Sequence, residues 1–225
     1  MAPSFPDTPW SLIAQANQGA AERRAAMQQL LERYWQPVYA AMVGGWSVDE
    51  SSAKSLVAEF FTTLLSRESL AQLDSENVRF RDYLKEQLST FMTDKTDADA
   101  LGATPEAKTN LNLVEPLEIP QSEGDAFTIF DEQWMLLIIQ RAIARLREES
   151  RADPLNQFEI FSMFDIEGTA STVEEVAADL DLRPDQVRRA LTQVRKKLRN
   201  IVSAEISEYS TTQAGAREEL TWLLL

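Results

Sequence analysis

Apolar residues along most of the chain recur every three or four positions, which is the spacing of one face of an α-helix. In residues 23–43, for example, they form a single stripe from Met27 to Met42. Pro37 falls inside this stripe and is expected to kink or break the helix. Because alternation of apolar and polar residues is nearly absent, the pattern predicts an all-α fold.

Other helices follow from the same spacing. After Gly44-Gly45, Ser47 and Glu50 have the spacing of a capping box, which predicts a helix from residue 47 to about residue 65. Thr8 followed by a proline has the composition of a helix start. The remaining helices are predicted at about residues 78–92, 130–147, 158–164, 172–180, 184–202 and 217–225.

Residues 96–127 interrupt the helical pattern. They contain several Thr, Asp and Pro residues without a sustained period, which is typical of a mobile acidic linker. We therefore expect two small helical domains joined by a flexible acidic linker, the C-terminal one a helix-turn-helix. The predicted bounds are 8–95 for the N-terminal domain, 96–127 for the linker, 128–205 for the C-terminal domain and 206–225 for an extension.

The predicted helix-turn-helix begins at Thr172, which forms a capping-box pattern with Glu175. Asp181-Leu182-Arg183 is a three-residue turn, and Pro184 suits the first position of the next helix. A helical wheel buries a stripe of that helix and turns Arg, Gln and Thr side chains outward. Such side chains can bond base edges in the major groove, and lysines further along suit phosphates. The residues predicted to contact DNA here are Arg183, Gln186, Arg188, Arg189, Thr192, Gln193, Arg195, Lys196 and Arg199.

Charge is distributed unevenly along the chain. The net charge is −14, which by itself argues against a nucleic-acid partner. Residues 183–199, however, carry seven basic side chains against one acid, Asp185. An acidic protein can bind DNA through one such basic patch. The alternative is an ordinary helical hairpin whose basic face is solvated.

The composition contains no cysteine and no histidine. Disulfides, thiolate metal sites and the commonest general base are therefore excluded. We expect a protein that is not an enzyme and needs no metal or cofactor. No apolar run approaches the roughly 20 residues of a membrane span, and the first residues lack the pattern of a signal peptide. A cytoplasmic protein without a membrane partner is expected.

Five segments of the sequence, together with the predicted helix-turn-helix, resemble the corresponding parts of one protein family. TPWSLIAQA, RYWQPVYA, AKSLVAEFFTTLL, RFRDYLKEQL and EELTWLLL occur in an order and spacing similar to those of RNA polymerase sigma factors of the extracytoplasmic-function type. The resemblance is closest to a long-chain subgroup of planctomycetes and some proteobacteria. It implies core RNA polymerase and promoter DNA as partners in transcription initiation. Residues 8–95 would bind the polymerase clamp and melt the promoter, and residues 128–205 would bind the upstream promoter element.

The resemblance also implies roles for side chains of the N-terminal domain. The helix matching residues 53–65 would dock on the polymerase clamp, and the next helix would face melted DNA, where aromatic rings can stack on bases. For most of these aromatic residues, packing in the core is the simpler interpretation. The residues implied for polymerase binding are Leu56, Glu59, Phe60 and Leu64. Those implied for the downstream promoter element are Arg79, Phe80, Arg81, Tyr83 and Lys85.

The chain departs from the family before the clamp-binding helix. Family members usually carry Asp-Ala-Glu-Asp where this chain reads Ser52-Ala53-Lys54-Ser55. Phosphorylation adds about −1.5 to −2 charges, and the resemblance to a subgroup that lacks the acidic pattern implies activation by a Ser/Thr kinase. A kinase partner is expected here on the same grounds, although these side chains also suit an ordinary helix surface. The candidate sites are Ser52 and Ser55, with Thr62 and Thr63 as alternatives.

A second departure is the acidic run at residues 93–99, where the family often carries basic residues that touch the promoter. Acidic side chains repel phosphates, so downstream DNA binding is expected to be weak or to avoid this run. Two other functions therefore stay open. One is a sigma-like regulator or decoy that binds DNA without forming an active holoenzyme. The other is a helical scaffold without a nucleic-acid role.

Overall fold

The computed structural model of the protein describes residue 12 and residues 19–66, 80–100, 124–151, 153, 156–169 and 172–207. These ranges contain α-helices and no strand, which confirms the predicted all-helical fold. The helices are α1 (Ala20–Ala40), α2 (Glu50–Ser66), α3 (Phe80–Ala100), α4 (Ala126–Glu149), α5 (Gln157–Phe161), α6 (Val173–Asp179) and α7 (Pro184–Ser207). The expected helix start at Thr8, the expected helix at 217–225 and Arg79 lie outside the described residues.

The contacts group the chain into two compact units. The N-terminal unit contains α1, α2, α3 and α4 as far as Leu136, and the C-terminal unit runs from Leu137 to Ile206. Residues 124–136 therefore belong to the N-terminal unit and residues 137–151 to the C-terminal unit. The predicted domain bounds of 8–95 and 128–205 stay a prediction.

Aromatic side chains form the centre of the N-terminal unit. Tyr34 of α1 lies against Phe80 of α3, with ring centroids 5.3 Å apart. Phe60 of α2 meets Phe91 of α3 at 5.5 Å. All four side chains are buried, and aromatic pairs at these distances contribute about 0.5–1.5 kcal/mol beyond the area they bury.

The helix α1 passes through Pro37 and stays α-helical to Ala40. A π-helical turn, Ala41–Gly45, follows directly. The helix therefore neither breaks nor ends at the proline, but widens one turn later into a π-helical turn whose last residues are Gly44 and Gly45.

The predicted capping box of α2 is wrong. Ser47 lies before the helix with a φ of 55°, in the left-handed region, and the helix begins at Glu50. Asp49 takes the capping role, because its Oδ1 accepts the N–H of Ser52 at 3.0 Å and the hydroxyl of Ser51 at 2.5 Å. The bond from Ser51, followed by those from Ser52, lowers the pKa of Asp49 from 3.8 to about 2.

Helices α3 and α4 are both longer than their apolar periods predict. The predicted helix ends near residue 92, but α3 continues to Ala100. The Thr93 and Thr96 hydroxyls donate to carbonyl groups four residues earlier, and Lys95 binds Glu59 of α2 at 2.5 Å. At α4, the side chain of Asp125 accepts two backbone N–H groups and starts the helix at Ala126 rather than near residue 130.

Candidate nucleic-acid interface

The two helices α6 and α7 carry the candidate interface in the C-terminal unit. The predicted capping box at the start of α6 is confirmed. The N–H of Glu175 donates to Oγ1 of Thr172 at 3.2 Å, and the N–H of Thr172 donates to Oε2 of Glu175 at 3.0 Å. These two bonds satisfy backbone donors that the first turn of a helix leaves open.

A tight turn joins α6 to α7. Asp181 has a φ of 52°, a left-handed conformation that aspartate adopts more readily than most residues. The N–H of Leu182 then donates to the carbonyl of Ala177 at 2.8 Å. At the start of α7, Oε1 of Gln186 accepts the backbone N–H of Arg183 at 3.0 Å. Gln186 was predicted to contact DNA, and in this structure its carbonyl oxygen caps the helix.

One face of α7 is buried in the core of the unit. Its contacts are the apolar side chains of α5 and α6, including Ile160 and Val176. The helical wheel predicts five buried residues, of which Leu198 is only half-buried and four are buried as predicted: Val187, Leu191, Val194 and Ile201. The buried side chains of α7 are Val187, Ala190, Leu191, Val194, Ile201, Val202 and Ile206.

The opposite face of α7 is exposed and mostly basic. The predicted DNA-contacting side chains on it are exposed: Arg188, Arg189, Thr192, Gln193, Arg195, Lys196 and Arg199. We name these seven residues the basic face of α7. Two of its polar side chains already have partners, since the Thr192 hydroxyl donates to the carbonyl of Arg188 at 2.9 Å and Oε1 of Gln193 accepts from Gln157 at 3.0 Å.

Four cations on or beside this face bind carboxylates of the same unit. Arg195 forms two bonds to Asp165, and Arg188 lies 2.7 Å from Glu174. Arg183 and Arg189 both approach Asp185, at 3.6 and 3.5 Å. Asp185 is a near neighbour of both its partners in the sequence, whereas Glu174 and Asp165 are 14 and 30 residues away from theirs and are not indicated by the sequence pattern.

Lys196 and Arg199 differ from the other cations of the basic face. Among the described residues neither has a carboxylate partner, and both side chains are exposed. Lys197, one position along, is bound to the carboxylate of Glu149 at 3.4 Å and to its backbone carbonyl at 3.2 Å. Arg145 in particular, and then Lys197, lowers the pKa of Glu149. Within the basic face, Lys196 and Arg199 are thus the cations most available to an external anion.

The residues implied for downstream DNA are covered in this structure. Phe80 and Tyr83 are buried in the N-terminal core, and the Arg81 side chain is only 6% exposed. Lys85 is held 2.9 Å from Asp131 of α4. These side chains pack inside the N-terminal unit, and the third cation of the set, Arg79, lies outside the described residues.

The residues implied for polymerase binding are divided between core and surface. Phe60 and Leu64 are buried, whereas Leu56 and Glu59 are half-buried on the outer side of α2. Among the phosphorylation candidates, Ser52, Ser55 and Thr62 are exposed and Thr63 is half-buried. The hydroxyl of Thr62 donates to the carbonyl of Ala58 at 2.8 Å.

No protein-family model matches the chain, and a comparison with curated proteins finds no match. Within the described ranges, no helix has both the length and the apolar character that crossing a bilayer requires. The same ranges hold no group of three or more Asp or Glu side chains placed to bind a metal ion.

Proposed function

We propose that the protein is a sigma factor of the extracytoplasmic-function type. It binds core RNA polymerase through the N-terminal unit, recognises promoter DNA through α7, acts in the cytoplasm and performs no chemistry of its own. The observation that carries this proposal is the basic face of α7. It lies on a helix whose other side is buried and whose start is fixed by a tight turn from α6.

In this proposal α6, the turn and α7 are a helix-turn-helix, and α7 enters the major groove. Its first turns carry Arg189 and Gln193, whose side chains can bond guanine and adenine edges. Lys196 and Arg199 lie one and two turns further along and contact phosphates, which adds affinity without sequence information.

The DNA-binding part is tested by fluorescence anisotropy with a mixed-sequence 30-base-pair duplex at several KCl concentrations. Removing a cation that contacts phosphate reduces the slope of log K against log salt by about 0.9. Lys196→Ala and Arg199→Ala should each show this loss. Lys54→Ala is the matched control, because Lys54 is an exposed lysine of α2 in the N-terminal unit. Equal slopes for all four proteins would contradict the proposal.

The polymerase-binding part includes a phosphorylation switch on α2. Ser52 and Ser55 are exposed in the first turns of this helix, where negative charge is favourable to the helix dipole. Phosphorylation there would supply the negative charge that the family carries at these positions. The pair Ser52→Asp/Ser55→Asp should retain more core polymerase in a pull-down than Ser52→Asn/Ser55→Asn, which has similar shape without charge. Equal retention would contradict the switch at these two sites, and the same comparison at Thr62 and Thr63 tests the alternatives.

A second candidate is a DNA-binding regulator that does not initiate transcription. The buried positions of Phe80, Arg81 and Tyr83 favour it, because melted DNA cannot contact these three side chains where they lie. Run-off transcription with purified core polymerase separates the two: a sigma factor yields transcripts, whereas the regulator binds DNA and yields none.

A further inference from the structure

Arg195 on the basic face of α7 is held by a two-point ion pair. Its Nε lies 3.1 Å from Oδ2 of Asp165, and its Nη2 lies 2.9 Å from Oδ1 of the same carboxylate. The two N–H groups of one guanidinium edge thus meet both oxygens of one carboxylate. This parallel arrangement is the strongest form of an arginine–anion contact, and arginine uses it for phosphate as well.

The segment that carries Asp165 is fixed by its own hydrogen bonds. Asp165 lies in the π-helical turn Ser162–Ile166 that follows α5. The N–H of Glu167 donates to the carbonyl of Ser162 at 2.8 Å, and the Ser162 hydroxyl donates to the carboxylate of Glu167 at 2.7 Å. Just before this turn, Ile160 is buried against α6 and α7. The carboxylate therefore comes from a hydrogen-bonded turn that packs against the core through the partly buried Met163 and Phe164, and it is presented to α7.

The Arg188–Glu174 pair, two turns earlier on the same side of the helix, offers a comparison. Its atoms are 2.7 Å apart, but the contact has a single point and both side chains are about 60% exposed. Asp165 is about 31% exposed and Arg195 about 51%. An exposed one-point pair is readily exchanged with water and salt, whereas the two-point pair to a braced carboxylate holds its partner in one geometry.

We propose that Asp165 is an internal competitor of DNA phosphate for Arg195. The carboxylate occupies the guanidinium edge that a phosphate would bind, so Arg195 adds to DNA affinity only after the ion pair is exchanged. Asp165 thereby limits sequence-independent binding by α7 and leaves that binding to Lys196 and Arg199. This inference rests on the proposed DNA-binding function and concerns the same surface.

The test uses the full-length protein and the mixed-sequence 30-base-pair duplex over a range of KCl concentrations. Asp165→Asn keeps the side-chain shape and removes the competing charge. Freeing one arginine for phosphate should tighten binding about five- to tenfold near 0.1 M salt and steepen the salt slope by about 0.9. Glu174→Gln should have a smaller effect, because its pair is the more exposed one.

The matched control is Asp179→Asn. Asp179 is an exposed carboxylate of α6 in the same unit, without an ion pair among the described residues, and its substitution changes the net charge equally. Arg195→Ala is then measured in two backgrounds. It should weaken binding little in the wild-type protein and cancel most of the gain in the Asp165→Asn protein. Thermal unfolding of each variant checks that the fold is retained.

The outcomes separate this inference from the function on which it rests. If Asp165→Asn binds no more tightly than Asp179→Asn while Lys196→Ala still weakens binding, the competitor role is wrong and the proposed function stands. If the wild-type protein shows no salt-dependent binding to the duplex, both are wrong. The competitor role would also be overturned if Arg195→Ala reduced DNA affinity by the same factor in the wild-type and the Asp165→Asn proteins.

Discussion

Asp131 of α4 lies 3.2 Å from the guanidinium of Arg81 on α3, and this guanidinium also stacks 4.6 Å from the ring centre of Trp134. The other carboxylate oxygen of Asp131 is 2.9 Å from Nζ of Lys85. One carboxylate thus balances two cations in a site where Arg81 is only 6% exposed. Residues separated by about fifty positions are joined in this way, and the start of α4 is held on α3.

Asp131→Asn should destabilise the N-terminal unit by about 3 kcal/mol, because it removes the carboxylate that lies 3.2 Å from the buried guanidinium of Arg81. Urea unfolding measures the change. Asp82→Asn is the control: Asp82 also pairs with Lys85, at 3.3 Å, but is 51% exposed, and exposed pairs contribute at most about 1 kcal/mol. Equal losses for the two variants would contradict the role given to Asp131.

Gly45→Ala should destabilise the protein by roughly 1–3 kcal/mol, the usual cost of overpacking. A Cβ at residue 45 would lie 2.3 Å from the Cα of Ala126, and backbone cannot move aside cheaply. Gly44→Ala is the matched comparison, since its Cβ would meet only the end of the Ile129 side chain, at 2.9 Å. Thermal unfolding should show a clearly larger loss for Gly45→Ala, and the opposite order would contradict the close approach of α4.

The start of α2 should contribute to stability in a pH-dependent way. The folded-state pKa of Asp49 is lowered from 3.8 to about 2 by its bonds from Ser51 and Ser52. An acid whose pKa is lower in the folded protein stabilises the fold at pH values above its pKa in the unfolded chain. The contribution of Asp49 is therefore full above about pH 4 and is lost as the pH falls through about 2. An NMR titration should give a midpoint near 2 for Asp49. In Asp49→Ala, the loss of stability between pH 4 and 2 should be smaller than in the wild-type protein, and an ordinary midpoint near 3.8 would contradict the cap.

Local signals in the sequence predicted the parts of this structure that depend on neighbouring residues. The all-helical fold, the Thr172 capping box and most of the buried stripe of α7 follow from spacing alone, because 3.6 residues per turn and an open N–H group act within a few positions. The cap of α2 was misassigned because Ser47 and Asp49 compete for the same role two residues apart. The partners of Arg81 and Arg195 were not predictable, since the carboxylates that bind them are 50 and 30 residues away and belong to other elements.

The basic face of α7 should separate into residues that read sequence and residues that supply affinity. Arg189 is 75% exposed in the second turn of α7 and is only loosely paired, with Asp185 at 3.5 Å, so its guanidinium can turn to a guanine edge. Lys196 is two turns further along and has no carboxylate partner among the described residues. If α7 lies in the major groove, Arg189→Ala should lose about 1–3 kcal/mol of discrimination between bases at one position. Lys196→Ala should instead weaken binding to all DNA sequences by a similar amount.

Affinity selection from a randomised duplex library measures both effects at once. The wild-type protein and the Lys196→Ala protein should select the same base preferences, and Arg189→Ala should lose its preference at one position. Unchanged preferences in Arg189→Ala would place that arginine outside the reading surface. Altered preferences in Lys196→Ala would show that the division between reading and affinity along α7 is wrong, because a lysine bound only to phosphate cannot distinguish bases.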